Sequence, residues 1–176
     1  MPQNPAMPQR ILIIGCCGAG KSTFARALAE ASRLPLISLD RYYWQPEWRE
    51  TPTVEWTRTV QELAARPRWI MDGNYGGTLD LRLARADTVV FLDYPTLTCL
   101  WRVTKRTLRY HGRTRPEMAP GCAERFDGAF LRYVATFNRT RRPALMKKLE
   151  AAGNNIRVYT PHHDREARRV IKMLST

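Results

Sequence analysis

The sequence predicts an α/β domain built on a largely parallel sheet, on three observations. Five short β-rich runs, ILIIG, PLISLD, RWIMDG, TVVFLDYP and NIRVYTP, are spaced along the chain. The segments between them carry apolar residues at three- and four-residue intervals, the period of a helix packed on one face. The runs themselves are almost continuously apolar, as strands are when helices cover both faces of a sheet.

Taken in order, the first run breaks into glycines, and a helix resumes with Phe24, Leu28 and Ala29 on its inner side. The second helix follows Thr51-Pro52, with Thr51 as N-cap and Pro52 at the first helical position, and turns Trp56, Val60, Leu63 and Ala64 inward. For the third helix the expected inner stripe is Leu97, Leu100, Trp101, Thr104 and Leu108. The fourth sets Phe126, Phe130, Tyr133, Val134 and Phe137 on one face, a core stripe. A short helix after Pro143 carries Leu145 and Leu149 and stops near Gly153; the last, capped by Asp164, buries Ala167, Val170, Ile171 and Leu174. Between the third and fourth helices, HGRTRPEMAPGCAER has no apolar period and reads as a mobile flap.

With 176 residues the chain fits one domain. The expected organisation is a disordered proline-rich tail at 1–9, a single domain at 10–176, and a lid at about 109–125. No apolar run approaches the length that spans a bilayer and no basic leader precedes a hydrophobic stretch, so a cytoplasmic protein is expected. Cys16, Cys17, Cys99 and Cys122 lack paired spacing and read as reduced thiols; with His111, His162 and His163 they form no zinc pattern. The net charge is +13. Residues 101–148 hold 13 Lys and Arg against Glu117, Glu124 and Asp127, a local balance of +10, and an anionic partner is expected: a polyphosphate nucleotide or a nucleic acid.

Chemistry concentrates in Gly15-Cys16-Cys17-Gly18-Ala19-Gly20-Lys21-Ser22, which matches G-x-x-x-x-G-K-[ST] directly between a strand and a helix. Glycines let successive N–H groups converge on phosphate oxygens, and the helix N-terminus adds partial positive charge. Lys21 is expected to neutralise the β- and γ-phosphates of ATP and Ser22 to ligand Mg²⁺, with Thr23 beside it on the nucleotide. Cys16 and Cys17 occupy positions where the backbone acts, and read as packing.

Asp72 ends the third run and is the candidate second acid for Mg²⁺. Gly73 follows it, where hydrolytic motors often place a glutamate, which argues for transfer to an acceptor other than water. No N-K-x-D stretch supports guanine specificity. Asp40, ending the second run on the same carboxyl edge of the sheet, can orient or deprotonate an acceptor hydroxyl or help to bind the metal. Tyr42, Tyr43, Trp44 and Trp48 crowd the next loop and either stack on an acceptor or close over the core, whereas Asp93 reads as structural. Arg102 and Arg106 lie four apart on one helix and are followed by Arg113 and Arg115 in the flap, a group expected to close over the transferring phosphoryl.

Over residues 10–174 the sequence resembles the adenylate-kinase-like P-loop kinases, through the phosphate loop, FLDYP and the spacing from Pro95 to Arg102 and Arg106. The resemblance implies a five-stranded sheet ordered 2-3-1-4-5, Arg102 against adenine, Arg106 on the phosphates, and Thr160 and Pro161 near the base. LDRYYWQPEW, MDGNYGGTLDLRLARAD and GRTRPEMAPGCAERFDGAFLRYV further resemble the group of DNA topology modulation (FlaR-related) proteins. DGNYGG stands where adenylate kinases have D-G-F-P-R, so the arginine that grips an AMP phosphate is missing, and Arg82 is the residue that can supply part of that charge. Two function classes follow: a Mg·ATP-dependent kinase acting on a small acceptor, or a nucleic-acid-binding regulator with ATP as a conformational ligand.

Overall fold

In the main sheet the strands buried almost throughout lie at the centre and the partly exposed ones at the edges. In a computed structural model that describes residues 7–153 and 156–175, β1 (Arg10–Gly15) lies at the centre, flanked by β5 (Trp69–Asp72) and β6 (Thr88–Leu92), with β2 (Leu36–Ser38) and β7 (Arg157–Tyr159) at the edges. All four pairings are parallel, with Ile13 opposite Asp72 and Gly15 opposite Leu92. Numbered along the chain, this is the order 2-3-1-4-5. The central residues Ile11 to Ile14 and Val89 to Leu92 are buried, which requires helices on both faces.

Those helices are α1 (Lys21–Ser32), α3 (Thr53–Ala65), α4 (Leu79–Leu83), α5 (Thr96–Tyr110), α6 (Gly128–Thr140), α7 (Arg142–Ala151) and α8 (Asp164–Ser175). They pack in neighbouring pairs, α1 with α8, α5 with α6, α6 with α7 and α3 with α4, giving a three-layer α/β fold. None of the described helices is long and apolar enough to cross a membrane. Between β2 and α3 the chain forms an arm: the helical turn α2 (Asp40–Tyr43), then a two-stranded ribbon of β3 (Trp44–Gln45) and β4 (Arg49–Glu50).

Several local expectations are corrected. Pro52, not Thr51, takes the cap position of α3, and the Thr51 hydroxyl instead donates to the Tyr43 carbonyl at 2.6 Å, tying the arm to the helix. Asp127 caps α6 by accepting the Phe130 N–H, so Phe126 lies ahead of the helix and outside its stripe. Asp164 does not cap α8; its carboxylate is taken by Tyr94 and Arg102. The largest correction is α5, which buries Cys99, Val103 and Thr107 and leaves Leu97, Trp101 and Leu108 80%, 62% and 70% exposed. The phosphate loop sets this rotation: a Cβ on Gly18 would stand 2.3 Å from the Cys99 carbonyl oxygen, so α5 turns its backbone at Cys99 to that glycine.

Residues 1–6 of the expected tail lie outside the described residues. Pro8 is buried and Gln9 is paired, donating to Asp87 and accepting from Trp69, so the ordered chain reaches back beyond Arg10. The segment read as a flap contacts the arm: Met118, Ala119 and Cys122 pack on Trp44 and Trp48, while Trp48 donates to the Ala123 carbonyl and Arg41 to that of Pro116, each at 2.8 Å.

Arg82 is not a surface group. It is 0% exposed and donates to the carbonyls of Gly73, Asn74, Tyr75 and Thr78, stapling the turn that follows β5. Burial pushes its pKa down to about 9. Arg82→Met leaves those carbonyls without a donor and should lower stability by about 3 kcal/mol in urea unfolding; Arg82→Lys, lacking the planar fork, should recover less than half of the loss.

Candidate active site

A helix N-terminus, a glycine curl and two carboxylates meet at the carboxyl end of β1. Gly18 and Gly20 take φ of +87° and +94°, the left-handed turn that points successive N–H groups to one side. The loop is held at both ends. Asn74 pairs with Gly15 twice, accepting its N–H at 3.0 Å and donating to its carbonyl at 2.8 Å. A Cβ on Gly15 would lie 2.6 Å from the Leu92 carbonyl oxygen, so β6 closes the other side. Ala19 N–H bonds the Cys16 carbonyl at 3.1 Å, and Lys21 Nζ reaches the same oxygen at 3.1 Å, folding the ammonium back over the curl. Ser22 and Thr23 follow in the first turn of α1.

Asp72 is buried at the tip of β5, accepts a hydrogen bond from Ser22, and has a carboxylate oxygen, Oδ1, with no hydrogen-bond partner. Burial pushes its carboxyl up to about 6 against the opposing pull of Lys21 and Ser22. For Lys21 burial works against the charge, yet the acidic groups of Cys17, Asp72 and Asp40 outweigh it and the pKa is raised. Lys21 therefore stays protonated throughout the physiological range. Asp40 opens α2 rather than ending β2, and its Oδ1 accepts the Tyr75 hydroxyl at 2.5 Å. Burial and the adjoining Asp40 hold that phenol far above its ordinary value, so Tyr75 remains a donor.

Ser22 and the orphaned oxygen of Asp72 suit Mg²⁺, a hard cation that binds through one or two protein oxygens and takes the remainder from water and phosphate. Among the described residues there is no cluster of three or more His, Cys, Asp or Glu of the kind that holds a metal by protein ligands alone. Cys16 and Cys99 are buried, and hydrogen bonding with Cys99 followed by burial pushes the Cys16 thiol up, which keeps it neutral and packed. Cys17 is half-buried beside them.

The arginines are divided rather than gathered. Arg102 lies at the mouth of the loop, its Nη1 3.7 Å from the Cβ position on Gly20, with its guanidinium over the Tyr94 ring and bonded to Asp164 at 2.8 Å. Arg106 and Arg115 instead converge on buried Glu124, at 3.1 and 2.7 Å, with Thr107 donating to it as well; Arg115 also pairs with Glu117. Arg113 is exposed at the turn between them. The reason is Glu124: a buried carboxylate requires compensating cations, and the two nearest arginines supply them. Thr160 is exposed and Pro161 buried; the Pro161 carbonyl accepts the Asp93 N–H at 3.0 Å, which ties this loop to the end of β6. Asp93 is structural, paired with Arg142 at 2.7 Å.

Sequence reasoning did not find Asn74, Tyr75, Glu124 or Asp164 in these roles. Asn74 and Tyr75 are signalled only by their place between glycines just beyond a strand tip. Glu124 and Asp164 carry no local signal, since their partners lie 18 and 62 residues away.

No family model and no curated protein matches the sequence. Solved structures do match. A shikimate kinase from Acinetobacter baumannii in complex with shikimate aligns over 96% of this chain and 91% of its own, with a TM-score of 0.58 and 19% identity. A putative kinase from Chloroflexus aurantiacus aligns over 96% and 97% with a TM-score of 0.57 and 18% identity, and a gluconokinase from Sinorhizobium meliloti over 96% and 94% with 0.53 and 20%. The chain has the P-loop fold of these small-molecule kinases.

The Asp72 carboxyl provides a direct check of whether these residues can hold Mg²⁺. In the free protein its ¹³C resonance should titrate with a midpoint near pH 6; with Mg²⁺ and an ATP analogue bound, the midpoint should fall below about 5, because the cation favours the ionised form. By the same linkage Mg²⁺ affinity should weaken as pH drops through 6.

Proposed function

We propose that the protein is an ATP-dependent kinase that transfers the γ-phosphoryl group to a hydroxyl on a small acceptor. The observation that carries this reading is the meeting of Lys21, Asp72 and Asp40 at the open side of the phosphate loop. The loop amides and Lys21 bind the triphosphate; Ser22 and Asp72, with Asp40 alongside, hold Mg²⁺, which when bound neutralises phosphate charge. Asp40, oriented by Tyr75, takes the acceptor hydroxyl proton as the oxygen attacks phosphorus in line. Arg102 lies where the nucleotide enters, on the side of Thr160 and Pro161. Phosphoryl transfer of this kind is mainly positioning and charge stabilisation, which these residues supply without a covalent intermediate. The neighbours in fold, a shikimate kinase and a gluconokinase by name, are consistent with a small acceptor.

Nucleic-acid binding draws support from the +13 charge, but the ion pairs reduce it. Of the 13 basic residues between 101 and 148, Arg102, Arg106, Arg115, Arg142 and Lys148 are each paired with a carboxylate. A resemblance to DNA topology modulation proteins therefore supports this second reading less than the site supports the first.

With ATP and a panel of hydroxyl compounds, product formation should be detectable by mass spectrometry. Lys21→Ala should reduce turnover roughly 10²- to 10³-fold, and Asp40→Asn roughly 10²- to 10⁴-fold with ATP affinity retained. DNA binding, if measured, should fade steeply between roughly 50 and 200 mM salt. Site-specific binding that survives the higher salt, with no phosphorylated product, would reverse the order of the two readings.

A further inference from the structure

The wall beside Asp40 narrows the choice of acceptor. A cavity of about 420 Å³ opens between the arm, the start of α3 and the turn after β5, lined by Tyr43, Glu50, Trp56, Tyr75, Gly76 and Gly77 among others. Three of its residues form an aromatic cluster: the Tyr43 ring lies 4.7 Å from that of Tyr75 and 5.1 Å from that of Trp56, and the Trp56 and Tyr75 rings are 4.9 Å apart. Tyr75 serves both places, since its ring lines the cavity and its hydroxyl is bonded to Asp40. The cavity is thus one side chain away from the candidate base. Its floor is open, because a Cβ on Gly76 or Gly77 would meet nothing within 4 Å.

Charge decides what can enter. Glu50 is the one acidic residue of the lining, and no Lys or Arg is among the lining residues. Arg49, next to Glu50 on β4, is exposed and outside the lining, on the opposite face of the ribbon by strand alternation, while Arg82 is committed to backbone carbonyls, Arg41 to Pro116, and exposed Arg58 to Glu62. A phosphate or carboxylate seated in this cavity would be desolvated beside Glu50 with no lining cation to pair it. A protonated amine would meet the reverse situation, aromatic faces and a carboxylate, the combination that holds ammonium groups.

Resting on the kinase reading above, we infer that the acceptor is a hydroxyl compound that carries a protonated amine and no phosphate or carboxylate. Its cationic end is held by Glu50 and the rings of Tyr43, Trp56 and Tyr75, and its hydroxyl faces Asp40. In the transfer, the acceptor oxygen forms the new bond to the γ-phosphorus, the bond from that phosphorus to the β,γ-bridging oxygen breaks and ADP leaves with its electron pair, and the hydroxyl proton passes to Asp40.

The test is calorimetry on the full chain loaded with Mg²⁺ and a non-hydrolysable ATP analogue, titrated separately with glucosamine, ethanolamine, glucose, shikimate and AMP. At least one of the two amines should bind about tenfold or more tighter than glucose, shikimate and AMP. Glu50→Gln should weaken that amine by about tenfold without changing the affinity for the analogue, and Glu50→Lys should shift the preference toward shikimate or AMP. Tighter binding of glucose, shikimate or AMP, amine binding indifferent to both substitutions, or no binding of either amine would overturn the inference. Failure of the analogue itself to bind would instead overturn the kinase reading, so the two are separated by the first titration.

Discussion

The curl of chain between Gly15 and Lys21 is the constraint to which the surrounding structure is fitted. Two carbonyl oxygens, those of Leu92 and Cys99, approach it so closely that a methyl group at Gly15 or Gly18 would collide with them. This contact does more than permit a tight turn. It brings β6 and α5 against the loop, sets the rotation of α5, and thereby points Arg102 toward the loop mouth while Leu97, Trp101 and Leu108 face outward. Asn74 repeats the arrangement from the opposite side, bonding both polar groups of Gly15 from the turn after β5. The phosphate-binding geometry is therefore part of the packing of three elements and not a property of an isolated loop.

The second theme is where the molecule tolerates buried charge. Glu124 is fully provided for, with Arg106, Arg115 and Thr107 as donors, and it fastens the segment after α5 to that helix. Arg82 is compensated by carbonyl dipoles alone, a weaker arrangement that its lowered pKa reflects. Asp72 keeps a buried carboxylate oxygen without a partner, as Asp87 also does. In an ordinary core such a group is a defect, costing on the order of 1–3 kcal/mol. At a strand tip facing Lys21 and Ser22 it suits the divalent cation that the proposed kinase reading calls for.

The layout of the sheet and the phosphate loop were legible because each is written locally. Continuous apolar runs mark buried parallel strands, and a glycine-rich turn between strand and helix allows few alternatives. The inner stripe of α3, Trp56, Val60, Leu63 and Ala64, was equally plain. The α5 face was misread because that helix has two usable stripes, and the apolar one, Leu97, Trp101 and Leu108, is not the one that packs. Cys99, Val103 and Thr107 are smaller, and only small residues let a helix backbone reach a glycine of the loop. The four arginines were grouped from their order in the chain, but which carboxylate each would meet depends on contacts across 9 to 62 residues. Arg82 shows the same limit: nothing in DLRLAR distinguishes a solvated arginine from one that staples four carbonyls.

Gly76 and Gly77 differ from the glycines of the phosphate loop in a way that bears on how the molecule can change. Side chains at positions 15 or 18 would strike backbone, whereas at 76 or 77 they would extend into empty space above the aromatic wall. Neither of the latter two takes a positive φ that would exclude other residues. The nucleotide half of the crevice is thus locked by its framework, while the floor of the other half can be reshaped by single codon changes without disturbing the core.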